Sequence, residues 1–490
     1  MEKITQLIST LTTREVNAIR KFYRLRPQAD ANQRFRLFEK VLNDPELSDM
    51  EAASFLQKNV GDSAFSMVKR RLKDDIIKVL VWEQRHSKFR SKYFKSRFEC
   101  RLLIAEAEIL SSRGANLLAI EHLYKAKRLA EQFELTNELV IINEQLIPLV
   151  ATREGLQTYS RIAQESLGQF KLIQDKFKAQ DYLRQLTIPN LFQANKEFNY
   201  KIQAEEASRE LRKLSEETSS VEIRFWYLRS EVFYNHLRKD YTSAFQFAQD
   251  FLELVKTSPV VYSIDNMGGA NMQLGMISIY RGEYESAALF ANTAREYFTK
   301  GSVNFVNASD ALFLSFFYRG LYDEAIVLLD EMKKNRNITR NHMLRSKWNF
   351  YDAQLHFRMG KYAESLSILQ QQTDLFSDKS GWRIGIKILE MMCIVELGND
   401  DWLDFRIETF RKLLSDLRKE NIFRPKLIHQ LFRFYIKSGY DWKNAIRLSG
   451  KHLTLLQEGT GENSWDPLGY EMTRFDSWLS GRLNGSSRSV

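Results

Sequence analysis

A phrase of roughly forty residues returns along this chain, and no other feature constrains its fold as tightly. It runs Leu274-Gly275, Gly282-Glu283-Tyr284, Ala287, Ala294 in its clearest copy. Gly320-Leu321-Tyr322, Ala325 and Met332 repeat it, as do Gly360-Lys361-Tyr362, Ser365 and Leu369. Lys239-Asp240-Tyr241 with Ala244 and Ala248 is a further copy. A glycine at such a site closes a helix by adopting positive φ, and the small residue five positions on lets the next helix come close. One helical hairpin cannot bury its own apolar face, so the phrase predicts a stack of them.

Extending the register gives turn positions at Gly114, Gly155, Lys196, Lys239, Gly282, Gly320, Gly360, Gly398 and Gly439. The expected fold is all-α: a right-handed α-solenoid of about nine hairpins with a period of about 41 residues. It follows a small helical N-terminal module. Only seven prolines occur in 490 residues, which suits long helices. The expected boundaries are 1–85 for the module, 86–458 for the solenoid, 459–483 for a C-terminal capping segment and 484–490 for a frayed tail. Residues about 467–482, with Leu468, Met472, Phe475 and Leu479, read as the amphipathic capping helix.

Within 1–85, helical patterns cover about 2–11, 13–25, 32–43, 48–59 and 64–84. Ser48 and Glu51 have capping-box spacing. The pairs Asp74-Asp75 beside Arg70, Arg71 and Lys78 read as solvated ion pairs.

No uninterrupted apolar run reaches about 18 residues; Leu139–Val150 is broken by Asn143, Glu144, Gln145 and Pro148. Met1-Glu2-Lys3-Ile4 starts no secretory pattern, and the two cysteines, Cys100 and Cys393, build no disulfide framework. A cytoplasmic location is expected. Each cysteine reads as a buried thiol.

At these repeat residues the chain resembles the tetratricopeptide-repeat family, whose hairpin is about 34 residues. Leu274-Gly275, Tyr284, Ala287 and Ala294 carry the likeness best. The longer period, the missing first-helix aromatics and the absent helix-ending proline mark a divergent relative. The front end resembles a group of bacterial proteins that place a short helical domain before such repeats. Leu11-Thr12-Thr13-Arg14-Glu15, Arg20-Lys21-Phe22-Tyr23 and Arg34-Phe35-Arg36-Leu37-Phe38 carry that likeness, which implies no activity.

The resemblance implies a non-enzymatic protein- or peptide-binding scaffold whose first helices line a concave groove. With the turn residues as reference, the groove candidates are Arg229, Phe233 and His236; Met272, Gln273 and Met276; Asn307, Asp310 and Leu314; and Phe350, Tyr351 and Gln354. The alternative for each aromatic is inter-repeat core. The family's clamp for a C-terminal carboxylate is not reproduced.

No phosphate loop, zinc-protease motif or Cys-x-x-Cys pair occurs, so no cofactor, metal or catalytic residue is expected. The net charge of +10 is concentrated between Ala64 and Leu102, where twelve Lys or Arg face four Asp or Glu. Lys69, Arg70, Arg71 and Lys73 form a candidate basic surface. It suits an acidic protein partner; the alternative is a peptide-responsive transcriptional regulator whose module contacts DNA. An enzyme with an unrecognised site is the third reading.

Overall fold

The computed structural model describes residues 1–25, 29–83, 91–192, 200–371, 382–416 and 423–484. The chain forms two compact units, Met1–Arg90 and Ser91–Val490. All regular structure among the described residues is helical. No helix among them is long and apolar enough to cross a membrane.

The first unit holds α1 (Glu2–Ser9), α2 (Thr13–Arg24), α3 (Ala29–Asn43), α4 (Asp49–Phe55) and α5 (Ser63–Glu83). Capping boxes start two of these helices. Thr12 and Glu15 form one at α2, and Ser48 and Glu51 form the other at α4, so backbone donors are satisfied reciprocally. Ile19, Leu37, Phe38, Phe65, Leu72 and Ile76 meet in its core. Asp75 is not the solvated residue its sequence context suggests. It is buried, where it accepts from the Tyr23 hydroxyl at 3.1 Å and pairs with Arg34 at 3.2 Å.

The second unit begins with α6 (Lys92–Ser112), α7 (Asn116–Gln132), α8 (Thr136–Glu154), α9 (Leu156–Phe192) and α10 (Tyr200–Glu217). It continues with α11 (Val221–Leu237), α12 (Tyr241–Thr257), α13 (Ile264–Tyr280), α14 (Tyr284–Tyr297), α15 (Val303–Arg319), α16 (Tyr322–Lys333) and the short α17 (Arg336–Arg340). Then come α18 (His342–Arg358), α19 (Tyr362–Gln370), α20 (Trp382–Leu397), α21 (Asp400–Asp416), α22 (Phe423–Lys437), α23 (Trp442–Ser449), α24 (His452–Glu458) and α25 (Phe475–Leu483).

Helix pairs are closed by left-handed residues at Gly114, Gly155, Lys239, Gly282, Gly320, Gly360, Gly398 and Gly439, with φ between 61° and 80°. Lys196 lies outside the described residues. At Gly320 the next amide, Leu321, bonds the carbonyl of Phe316 at 3.0 Å. The same closure recurs from Glu283 to Ser278 and from Lys361 to His356, both at 2.9 Å. This bond satisfies carbonyls that a helix end leaves open.

The close approach expected of the small residues is real. A Cβ on Gly275 would stand 3.3 Å from the Ala291 amide nitrogen and 3.4 Å from the Ala287 carbonyl oxygen, so α13 and α14 touch backbone to backbone. Gly268 instead leaves room for the Phe298 ring. The described residues of the second unit thus form an all-α stack of helical hairpins.

The repeated tyrosine has a definite task. It opens the second helix of its hairpin and reaches the residue two before the turn of the following one. Tyr241 stacks on Tyr280 with centroids 4.7 Å apart, Tyr284 meets Tyr318 at 5.0 Å, and the Tyr322 hydroxyl accepts from Arg358 Nε at 3.0 Å. The tyrosines therefore set the spacing between hairpins. One continuous core then runs from Ile279 to Leu479, in which Phe313, Trp348, Phe410 and Phe432 are buried.

The C-terminal helix is shorter than the sequence pattern suggests. It begins at Phe475, not near 467, because the preceding backbone bonds other hairpins, the Pro467 carbonyl accepting from Tyr318 and the Thr473 amide donating to Gln354. Met472, Phe475 and Leu479 still enter the core.

Candidate functional site

The residues before α25 lie across the first helices of the solenoid. Lys239 Nζ donates to Ser464 Oγ at 2.5 Å, although the two are 225 positions apart. The Tyr280 hydroxyl lies beside the Asp466 carboxylate, whose charge adds to the rise of its pKa that burial causes. The Tyr318 hydroxyl donates to the Pro467 carbonyl at 2.5 Å, and its ring meets Trp465 edge-on at 5.7 Å. Further along, Gln354 Oε1 accepts from the Thr473 amide at 3.3 Å and from its hydroxyl at 2.8 Å. Glu396 accepts from Trp478 Nε1 at 2.6 Å and pairs with Arg482 at 2.5 Å. Side chains from four hairpins thus bond one stretch of polypeptide.

Arg424 of α22 anchors this stretch at both of its ends. Its guanidinium takes Glu471 through two bonds of 2.6 and 2.7 Å and Asp476 through one of 2.5 Å. It also donates to the carbonyls of Leu456 at 2.9 Å and Asn463 at 3.3 Å. Two carboxylates raise the pKa of this buried guanidinium against the opposing effect of desolvation. A bidentate pair of this kind needs the planar fork of arginine.

Between the tip of this stretch and the ends of α11, α13 and the start of α14 is a cleft of about 1170 Å³. Tyr241, Tyr280 and Tyr284 line it with His236, Lys239 and Trp465. Burial lowers the His236 pKa, with nearby Asp466 opposing, so the ring is neutral at ordinary pH. Burial, then Asp466, pushes the Tyr280 hydroxyl well up, which keeps it a donor.

The twelve groove candidates divide between the C-terminal stretch and the inter-hairpin core. His236 lines the cleft, and Gln354 holds Thr473. Leu314, Phe350 and Tyr351 are buried; Tyr351 stacks on Phe313 at 4.8 Å and meets Trp382 at 6.3 Å. Asp310 is buried and ion-paired to Lys347 at 2.6 Å, while burial raises its pKa. Arg229 lies 5.5 Å over both the Phe225 and Trp226 rings. Phe233 packs with the Leu186, Ala204 and Ala207 cluster, and Met272 and Met276 pack on the main core. Gln273 and Asn307 are half-buried. Positions nine and ten before the turn therefore meet the neighbouring hairpin in Tyr351 and Asp310. The contacts that hold the C-terminal stretch come from Tyr318 and Glu396, two before it, from Gln354, six before it, from the turn residue Lys239 and from Arg424. Tyr280, Tyr318 and Glu396, each two before a turn glycine, share one register position that sequence reasoning passed over.

In the first unit, Lys69 bonds Asp49 at 2.7 Å and lies 4.6 Å over the Phe65 ring. Arg70 and Arg71 are exposed and Lys73 is half-buried on the same helix. Elsewhere, Cys100 and Cys393 are fully buried, and desolvation pushes both thiols up to about 12. Neither is an activated nucleophile.

No protein-family model matches the sequence, and no curated protein matches it. Solved structures do. One is a Rap protein complexed with competence and sporulation factor, at 14% identity, covering 85% of this chain and 99% of that one, with a TM-score of 0.30. Another is the P58(IPK) TPR domain, at 14% identity, 80% and 99% coverage and a TM-score of 0.23. A third is a signal-transduction ATPase with numerous domains from Pyrococcus horikoshii that carries a tetratricopeptide-repeat sensor. It shows 12% identity, 92% and 65% coverage and a TM-score of 0.31.

Proposed function

We propose that this chain is a non-enzymatic scaffold that binds a protein or peptide in extended form on the first-helix face of its solenoid. One observation carries the reading: that face holds polypeptide by side-chain bonds to main-chain atoms. Tyr318 donates to the Pro467 carbonyl, Gln354 accepts from the Thr473 amide and Arg424 donates to the Asn463 carbonyl. Such bonds read backbone and not side chain, which is what recognition of an extended segment requires. The cleft beside Tyr241, Tyr280 and Tyr284 continues the same face with room left over. Rigid aromatic walls of this kind supply anchor sites at low entropic cost.

The test is a random-peptide selection on the immobilised full chain, followed by calorimetry of the enriched peptides. Replacing Lys239 by Ala should weaken those peptides about tenfold, a loss of about 1.4 kcal/mol, while the thermal melt stays in place. Replacing Tyr284 by Ala should weaken them as much and also lower the melt, because its ring packs on Tyr318. Enriched peptides that bind both variants as well as the parent would place recognition elsewhere and end the proposal.

A further inference from the structure

The cleft has two sides of opposite character. The solenoid side presents His236, Lys239, Tyr241, Tyr280, Arg281 and Tyr284, with Arg424 behind them. No carboxylate from the hairpins is among the described residues lining it. Arg281 is paired outside the cleft with Glu283 at 2.7 Å, and Arg424 is taken by Glu471, which leaves Lys239 facing the tip. The acids in the cleft, Asp466 and Glu471, come from the C-terminal stretch, as does the indole of Trp465. The solenoid side is cationic and aromatic; the segment laid on it is acidic and aromatic.

The segment is also held unevenly. Glu471, Met472, Thr473, Phe475 and Asp476 are buried. At the tip, Asp466 is exposed, Ser464 and Trp465 are half-buried, and Pro467 is buried. Outside contacts to the tip are the Lys239 and Tyr318 bonds, while Trp465 is tied within the segment, its Nε1 donating to the Glu471 carbonyl at 2.7 Å and Arg474 lying 5.2 Å over its ring. Gly461 and Gly469 bracket the tip, and Arg424 holds the chain on either side of it.

From this we infer that the tip, Ser464 to Pro467, is an internal stand-in for the ligand. The partner is a peptide carrying an aromatic residue beside an acidic one, which enters the cleft by displacing Trp465 and Asp466. The inference rests on the peptide-scaffold reading and adds the partner's chemistry and its competitor. Tethering gives the tip an effective concentration in the millimolar range, so a peptide in trans competes poorly until the tip is weakened. Tryptophan and tyrosine stack favourably against the tyrosine wall, and the ligand carboxylate takes the place of Asp466 beside Tyr280 and His236, on the side of the cleft whose cation is Lys239.

The probe is a fluorescein-labelled synthetic peptide with the sequence of Asn463 to Glu471, read by anisotropy against the full chain. Its control carries alanine in place of the tryptophan and the aspartate. The parent should bind the probe weakly. The double variant Trp465→Ala, Asp466→Ala should bind it at least about tenfold more tightly and discriminate against the control. Ser464→Ala, which removes only the Lys239 bond and leaves the fold untouched, should give a gain of about threefold. Adding Lys239→Glu to either variant should abolish the gain. Equal affinity for parent and both variants would overturn the inference, as would equal affinity for probe and control. Absence of binding to the Ser464→Ala chain, with its melt unchanged, would overturn it too. Peptides of unrelated composition that the random selection finds, and that still depend on Tyr284, would leave the scaffold reading standing while this inference fell.

Discussion

Gly385 of α20 and the main-chain carbonyl of Tyr470 are packed so closely that no side chain fits between them: a Cβ on Gly385 would collide with that oxygen and crowd the Phe350 ring. The opposing atom is backbone, so relief requires the whole stretch to lift. Gly385→Ala should expose the segment between Gly459 and Arg474 to protease, seen as new cleavage there in limited proteolysis with trypsin or chymotrypsin. An unchanged digestion pattern would mean that the segment is not seated on α20.

Arg424 is the second fastening. Glu471→Ala removes two of its charge-assisted bonds and leaves a buried guanidinium with Asp476 as its remaining carboxylate. Breaking a buried pair from one side is costly, and a loss of about 3 kcal/mol is expected in a urea melt. Repeats contact mainly their neighbours, so the loss should appear as an early transition of the last hairpins. Conservative Glu471→Gln should recover part of it.

Ala287 is fully buried where α14 meets Gly275. Ala287→Leu must push two backbones apart and should cost about 1–3 kcal/mol. A melt indistinguishable from the parent would show that α13 and α14 are not in the register described.

His236 and His429 both have pKa values below the usual imidazole value of 6.5, chiefly because burial penalises the charged ring. Below that value the unfolded chain binds protons that the folded chain does not, so stability must fall as pH drops through it. Urea midpoints should decline between about pH 7 and pH 5.5, above the range in which carboxylates titrate. The chain with both histidines replaced by glutamine should show a flatter profile over that interval. An equally steep profile in the variant would assign the effect to other groups.

How far the candidate site was legible follows from register. Turn position, helix length and the small residues of the hairpin contact are encoded within a few residues, which is why Gly320 closes a helix and Gly275 meets Ala291 as the spacing implies. Which face of each first helix looks into the cleft is set by how far one hairpin rotates against the next. The Tyr241–Tyr280 and Tyr284–Tyr318 pairs help to fix that rotation, and each spans two hairpins. Gln354 and His236 were within reach of periodicity, while Tyr351 and Asp310, at other offsets from the turn, are covered by the adjoining hairpins.

By itself, then, the sequence determined the hairpin: local backbone geometry and helical periodicity place its turns, its close contact and its repeated tyrosine. Only the tertiary structure decided what fills the inner face. The chain near Ser464 returns to Lys239 across 225 positions. That return depends on the accumulated turn of several hairpins, on Arg424 finding Glu471, and on Gly385 leaving space for Tyr470. No local pattern carries such information, because each of these contacts exists only after the solenoid between them has been built.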